Sequence, residues 1–250
     1  MAGHSKWANI KHQKARMDAK KGKTFTQLSR AIIVAARNGG ADPETNFQLR
    51  TAIEKAKAAS LPNDNIERAI AKGAGTYDSD EGQLAAIRYE GYGPGGVAIL
   101  IEAFTDNRNR TAADLRAAFS KNGGNLGETG CVSWMFDQKG VVRLEGKIEE
   151  EKLLEASVEG EAESYEYSDD GVEVFTETSQ LETLNQVLQD YHFPVSEAEL
   201  RWIPSNTVEV TDSDQARSLL KLIDMLESLD DVQNVTANFD MSEELIDSYQ

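Results

Sequence analysis

The residues best suited to chemistry lie at the start of the chain. Within MAGHSKWANIKHQKARMDAKKGK, the cations Lys6, Lys11, Lys14, Arg16, Lys20, Lys21 and Lys23 crowd around one indole, Trp7. Closely spaced ammonium and guanidinium groups neutralise phosphates and release their counterions, while an aromatic face stacks on a base. His4 and His12 stand in the same stretch with no cysteine beside them, so a zinc set is not expected there. They read as phosphate or base contacts, or as solvated residues. A second candidate is Asp106-Asn107-Arg108-Asn109-Arg110-Thr111. Arg108, Asn109 and Arg110 could reach phosphates and base edges from between a strand and a helix, or the same stretch could be a helix-capping loop. Arg30 completes the set of candidate contacts.

Catalytic readings fare worse. Gly91-x-Gly93-x-x-Gly96 matches a dinucleotide fingerprint in letters, but that motif needs a helix whose N-terminus faces the pyrophosphate. Here Pro94 sits in the loop and Val97-Ala98-Ile99-Leu100-Ile101 follows as a strand, so a hairpin is expected. Cys131 has no histidine near it in sequence and reads as a buried small residue. The carboxylates of Glu149-Glu150-Glu151 and of Glu159 to Glu166 read as solvated faces, and none stands out as an acid/base pair. No catalytic residue, metal or cofactor is expected.

Charge sorts along the chain. The net charge is −17, yet residues 1–75 hold 14 Lys+Arg against 6 Asp+Glu, and the remainder holds 12 against 37. Such a dipolar molecule presents one end to a polyanion and repels it elsewhere, over roughly the ~8 Å screening length of physiological salt. A solubilising tail is the bland alternative for the basic end. No apolar run approaches the ~20 residues of a membrane helix, and no secretory signal is expected. The single cysteine fits a reducing compartment, so the expectation is a cytoplasmic monomer away from membranes.

The elements that must position these groups follow from periodicity. Residues 1–23 form a basic arm. Residues 24–75 read as three short helices: one carrying Phe25, Leu28, Ile32 and Ala35 to a stop at Asn38-Gly39-Gly40, a second capped by Asp42, and a third from Asn63 to Lys72. Residues 76–130 and 205–250 together read as a β-β-α-β-α-β domain, with strands at Leu84 to Glu90, Val97 to Phe104, Thr207 to Val210 and Val232 to Phe239. Its second helix starts at Asp212 and turns Ala216, Leu219, Leu220, Ile223 and Leu226 inward. Residues 131–204 interrupt it with β-α-β-β-α-β, the ferredoxin-like order. The expected class is α+β: a helical N-terminal domain plus two ferredoxin-like mixed domains, the third, acidic one inserted in the second.

Five segments carry a resemblance: AGHSKWANIKHQKARMDAKKGKTFTQLSRAI, DNIERAIAKG, YEGYGPGG, TDNRNRTAADLR and GGNLGETGCVSWMF. They resemble the YebC-like translation and transcription factors, a family that includes the mitochondrial translational activator of cytochrome c oxidase. The acidic C-terminal half matches mainly in its order of elements. Phe47 stands where the motif has proline, and Cys131 where a small hydroxyl or alanine is usual. The resemblance implies three domains and no catalytic residues. It also implies either transcriptional regulation on DNA or association with the ribosome, on ribosomal RNA near the peptidyl-transferase centre, relieving stalls at proline-rich stretches. Carried over by motif, His4 to Lys23 would be the main nucleic-acid contact and Arg108-Asn109-Arg110 a second. Changing Lys11, Lys14, Lys20 and Lys21 together to alanine should flatten the salt dependence of RNA binding by about three to four units of log–log slope, measured by filter binding at graded salt.

Overall fold

The computed structural model describes residues 21–76, 84–168 and 171–247. They form two compact units, one reaching Met135 and resuming at Pro204, the other spanning Phe136–Ile203. The class is α+β, with a helical N-terminal region and antiparallel sheets.

Three helices open the first unit: α1 (Lys21–Gly39), α2 (Phe47–Ala58) and α3 (Asn63–Gly73). Ile32, Ala35, Leu49, Ala56, Leu61, Ile66 and Ala69 close their common core. Helix α1 starts three residues before the expected Thr24. The start of α2 also differs: the cap is Asn46, and Asp42 instead holds a turn by accepting the Glu44 N–H at 3.0 Å. Asn46 is buried, accepts the Leu49 N–H at 3.1 Å, and donates to the carbonyls of Ala35 (2.9 Å) and Gly40 (2.8 Å). One amide thus joins the end of α1 to the start of α2, which Asp42, with a carboxylate and no donor, could not do. Phe47 falls at the first helical position, the place proline tolerates best, so its departure from the motif leaves the helix intact. Gly73 ends α3 and lets it touch α1, since a Cβ there would lie 2.5 Å from the Ile33 carbonyl oxygen.

The rest of the first unit is a sheet with helices on it. Strands β1 (Ala85–Tyr92) and β2 (Ala98–Thr105) form an antiparallel hairpin, with Gly91 opposite Ile99 and Tyr92 opposite Ala98. The glycine-rich segment is therefore a turn, in which Gly95 and Gly96 adopt φ of 76° and 75°. Helix α4 (Arg108–Lys121) follows, then a two-residue strand β3 (Asn125–Leu126) that lies on the far side of β1. The sequence pattern missed β3 because two residues have no period.

The second unit contributes β4 (Phe136–Glu145), α5 (Glu150–Glu159), β5 (Ala162–Ser168), β6 (Gly171–Thr176), α6 (Leu181–Asp190) and β7 (Val195–Pro204). Its strands lie in the order β5-β6-β4-β7. Numbered within the unit that is 2-3-1-4, the ferredoxin-like arrangement. Leu153 and Ala156 of α5 and Leu181, Leu184 and Leu188 of α6 are buried, as are Val142, Leu144, Val172 and Val174 of the central strands.

The chain then returns to the first unit, where the Ser205 N–H donates to the Met135 carbonyl at 2.8 Å. Short β8 (Val208–Glu209), helix α7 (Ser213–Glu227), β9 (Val232–Ala237), β10 (Phe239–Asp240) and α8 (Glu243–Asp247) complete it. The main sheet runs β3-β1-β2-β9, and α4 and α7 seal it through Leu115, Phe119, Leu219, Leu220, Ile223 and Leu226 against Val97, Ile99 and Ile101. The strand expected at Thr207 to Val210 stays out of that sheet, pairing in parallel with β10. Buried Asn238 is the reason: its Oδ1 takes the Ala98 N–H at 2.7 Å, ending β9 and turning the chain off toward β8. Asp212 caps α7 as expected, accepting the Gln215 N–H at 2.8 Å.

Asn46→Ala should lower stability to urea unfolding by about 2 kcal/mol, since it strips a helix cap and leaves buried carbonyls unmatched. Asn46→Asp should recover only part of that, because it restores the cap but not the two donations.

Candidate nucleic-acid interface

Helix α1 has two working faces. Phe25, Leu28, Ile32, Ala35 and Ala36 belong to the three-helix core. A separate stripe at spacings of three and four, Gln27, Arg30, Val34 and Arg37, holds buried Val34 and three side chains that bond to the sheet domain. Gln27 donates to the Val232 carbonyl at 2.9 Å and Arg37 to the Leu84 carbonyl. Arg30 reaches furthest, donating to the carbonyls of Asp230 (2.7 Å) and Phe104 (3.2 Å) and to Asp231 Oδ1 at 2.5 Å.

Asp231, at the turn from α7 into β9, collects partners from three elements. Besides Arg30 of α1, Arg110 of α4 donates to both its oxygens at 3.1 and 3.0 Å. Thr111 donates to Oδ2 at 2.6 Å and Thr105 of β2 at 3.2 Å. Burial alone would raise the Asp231 carboxyl, but the hydrogen bonds from Thr111, Arg110 and Arg30 outweigh it and hold the group below the usual carboxylate range. Arg110 also pairs with Asp106 at 2.8 Å, and Asn107 caps α4 by accepting the Arg110 N–H at 3.1 Å. Most of TDNRNRT is therefore a knot that fixes three elements together. The capping reading of this loop is correct for Asn107.

What the knot leaves outward is Arg108 and Asn109, both exposed in the first turn of α4. Arg116 is exposed two turns further on, and both arginines lie close enough to Tyr89 to pull its hydroxyl down against burial, which nevertheless keeps it raised. The Tyr89 hydroxyl donates to the Arg108 carbonyl at 3.3 Å and so ties the strand to the helix start. Of the residues proposed from sequence, the structure brings Arg30 and Arg110 together on one carboxylate and presents Arg108 and Asn109 to solvent. Lys21 and Lys23 fall in the first turn of α1. His4, Lys6, Trp7, Lys11, His12, Lys14, Arg16 and Lys20 lie outside the described residues.

A second buried carboxylate organises the loop after β3. Glu90 accepts the N–H groups of Gly130 (2.8 Å), Val132 (2.7 Å) and Ser133 (2.8 Å). Burial pushes its carboxyl up, and these three donors bring it below its ordinary value. The Cys131 carbonyl accepts the Tyr92 hydroxyl at 3.0 Å and the Trp134 indole N–H at 3.2 Å. Cys131 itself is half-buried rather than enclosed, and burial together with Glu90 raises its thiol, which disfavours a nucleophilic thiolate. Sequence reasoning missed Asp231, Glu90, Thr105 and Thr111. The one signal for Glu90 was a carboxylate at the end of a strand, directly ahead of a glycine-rich loop.

The site is thus two fixed carboxylates that hold backbone and helices in place, with Arg108 and Asn109 exposed beside them. Two family models match the chain: the TACO1/YebC protein N-terminal domain over residues 5–76 and the TACO1/YebC second and third domain over residues 84–239. The chain belongs to the TACO1/YebC family. A probable transcriptional regulatory protein of Gloeothece citriformis is 80% identical over 250 residues, and one of Nostoc punctiforme is 77% identical over 247, each alignment covering 98% of both chains. The crystal structure of a conserved hypothetical protein from Aquifex aeolicus superposes with a TM-score of 0.83 at 45% identity, covering 90% of this chain and 93% of that one.

Asp231→Ala should cost about 3 kcal/mol in urea unfolding, because two guanidiniums lose their carboxylate at once. Both Asp231 and Glu90 titrate lower folded than unfolded, so their stabilisation is present above about pH 4 and is lost as pH falls through the folded values. Asp231→Asn should make that acid limb shallower in pH-dependent thermal melts.

Proposed function

We propose that the protein is a non-enzymatic nucleic-acid-binding factor acting in translation, which docks on ribosomal RNA and relieves stalling at proline-rich sequences. The observation that carries the reading is the segregation of charge: 14 cations against 6 acids in residues 1–75, and 12 against 37 beyond them. A molecule charged in this way approaches a polyanion through its basic segment. Folded RNA can engage that segment locally while the acidic remainder stays in solvent; an extended duplex offers further phosphate, which the acidic residues repel. The arm from His4 to Lys23 is the main contact, and Arg108 with Asn109 at the start of α4 is a second. Arg30 and Arg110 support that surface from behind by holding α1, α4 and β9 on Asp231. In this reading the work is done by positioning, in a cytoplasmic monomer that needs no cofactor.

The second reading, a transcriptional regulator on promoter DNA, is favoured by the names of the relatives, which are probable transcriptional regulatory proteins. The same basic surface would serve it. The two diverge in cells. In a strain lacking the protein, ribosome profiling should show raised occupancy at consecutive prolines; unchanged occupancy removes the translation reading. Footprinting on DNA should show diffuse, salt-labile protection, whereas a reproducible protected sequence would establish the transcription reading.

A further inference from the structure

Four large apolar side chains are prominently exposed among the described residues, and three belong to the second unit: Leu154 (53%), Val158 (74%) and Tyr167 (53%). Their placement is coherent. In α5 the buried residues Leu153, Ala156 and Ser157 face the sheet. On one flank of the helix, Glu159 accepts the Tyr191 hydroxyl at 2.8 Å, with Glu155 also near that hydroxyl. The other flank is the stripe Glu150, Leu154 and Val158, at successive fourth positions. Strand β5 follows α5 after a tight turn and runs back along it, so that Tyr167 comes to lie near Glu150. Tyr165 packs edge-on against Tyr167 at 5.9 Å and continues the apolar surface. Among the described residues, strand β5 is the margin of its sheet and pairs with β6 alone. Leu154, Val158, Tyr165 and Tyr167 therefore form a strip between an exposed helix flank and a free sheet edge.

The surroundings of the strip specify what it takes. Residues 136–203 carry 18 acidic side chains against 5 basic ones. The cations are largely committed within the unit: Lys139 to Glu163 (2.9 Å) and Glu177 (2.6 Å), Arg201 to Glu173 (2.8 Å) and Glu199 (3.1 Å), and Lys152 over the Phe193 ring at 5.4 Å. Glu150 and Glu151 remain exposed beside the strip. A nucleic acid is repelled by this surface, and a neutral apolar partner leaves the carboxylates without counter-charge. We propose that the α5–β5 strip is a docking surface for a basic amphipathic segment of another protein, whose leucine-like side chains lie on Leu154, Val158 and Tyr167 while its lysines and arginines meet the flanking glutamates. Basic arms of this composition extend from proteins that themselves bind nucleic acid. The strip is short, so the complex is transient and depends on salt as well as on apolar contact.

The test uses the full chain and a fluorescein-labelled fifteen-residue peptide built from repeated Leu-Lys-Lys-Leu, read by fluorescence anisotropy at 150 mM salt. Leu154→Ser with Val158→Ser, both at exposed positions, should weaken binding about tenfold, with an unchanged melting temperature. A peptide with every leucine replaced by serine should bind the parent chain as weakly as the intact peptide binds the double variant. Equal binding of the leucine-free peptide, or of the double variant, would reduce the interaction to bulk attraction by acids and overturn the proposal. So would sedimentation showing that the parent self-associates through this strip while the variant does not. RNA binding by the double variant should match the parent, so loss of peptide binding and failure of the nucleic-acid reading are separable outcomes.

Discussion

Asp231 is the point on which the first unit turns. One carboxylate, almost wholly removed from water, answers two guanidiniums and two hydroxyls drawn from α1, β2 and α4. Burying a charge is costly unless it is paired and hydrogen-bonded, and here it is both. The arrangement allows a small helical domain, with a core of its own, to be held against a sheet by directed bonds. The stripe Gln27, Arg30, Val34 and Arg37 has only one apolar member, so the junction is specified by directed bonds more than by area. Placement of the described three-helix domain on the sheet is thereby set by the protonation state of one carboxyl group.

Glu90 does the same for a loop. Three consecutive-region N–H groups converge on its oxygens and hold Gly127 to Trp134 in a compact form that lacks regular secondary structure apart from one short turn. Glu90 lies within the motif YEGYGPGG, and Asp231, outside the motif segments, is answered by Thr105, Arg110 and Thr111 of TDNRNRT. Those motifs would tempt a reader to assign every arginine to a ligand. The structure divides them: Arg110, though exposed, is committed to Asp231 and Asp106, while Arg108, two residues earlier on the same helix, leaves in another direction, because a helix advances about 200° between such positions.

Legibility followed the length and regularity of the elements. The order β-α-β-β-α-β of the inserted unit could be read because each piece carries its own period, and α7 because Ala216, Leu219, Leu220, Ile223 and Leu226 repeat at helical spacing. Asp42 was a reasonable cap by type, yet Asn46 won because its position demanded donors as well as an acceptor. Strand β8 was readable as a strand but not as an outcast, since the decisive group, Asn238, lies 28 or more residues away and acts through a single side chain. The knot at Asp231 was hidden for a similar reason: its members come from residues 30, 105, 110, 111 and 231, and nothing local in any of those stretches names the others.

The bond between the Ser205 N–H and the Met135 carbonyl clasps the two ends of the host chain where the inserted unit departs and returns. A host closed in this way needs no help from its guest to complete its own core. The inserted unit likewise keeps buried residues of its own, among them Val142, Leu153, Val174 and Leu184, so a change on its acidic surface leaves the host's closure untouched.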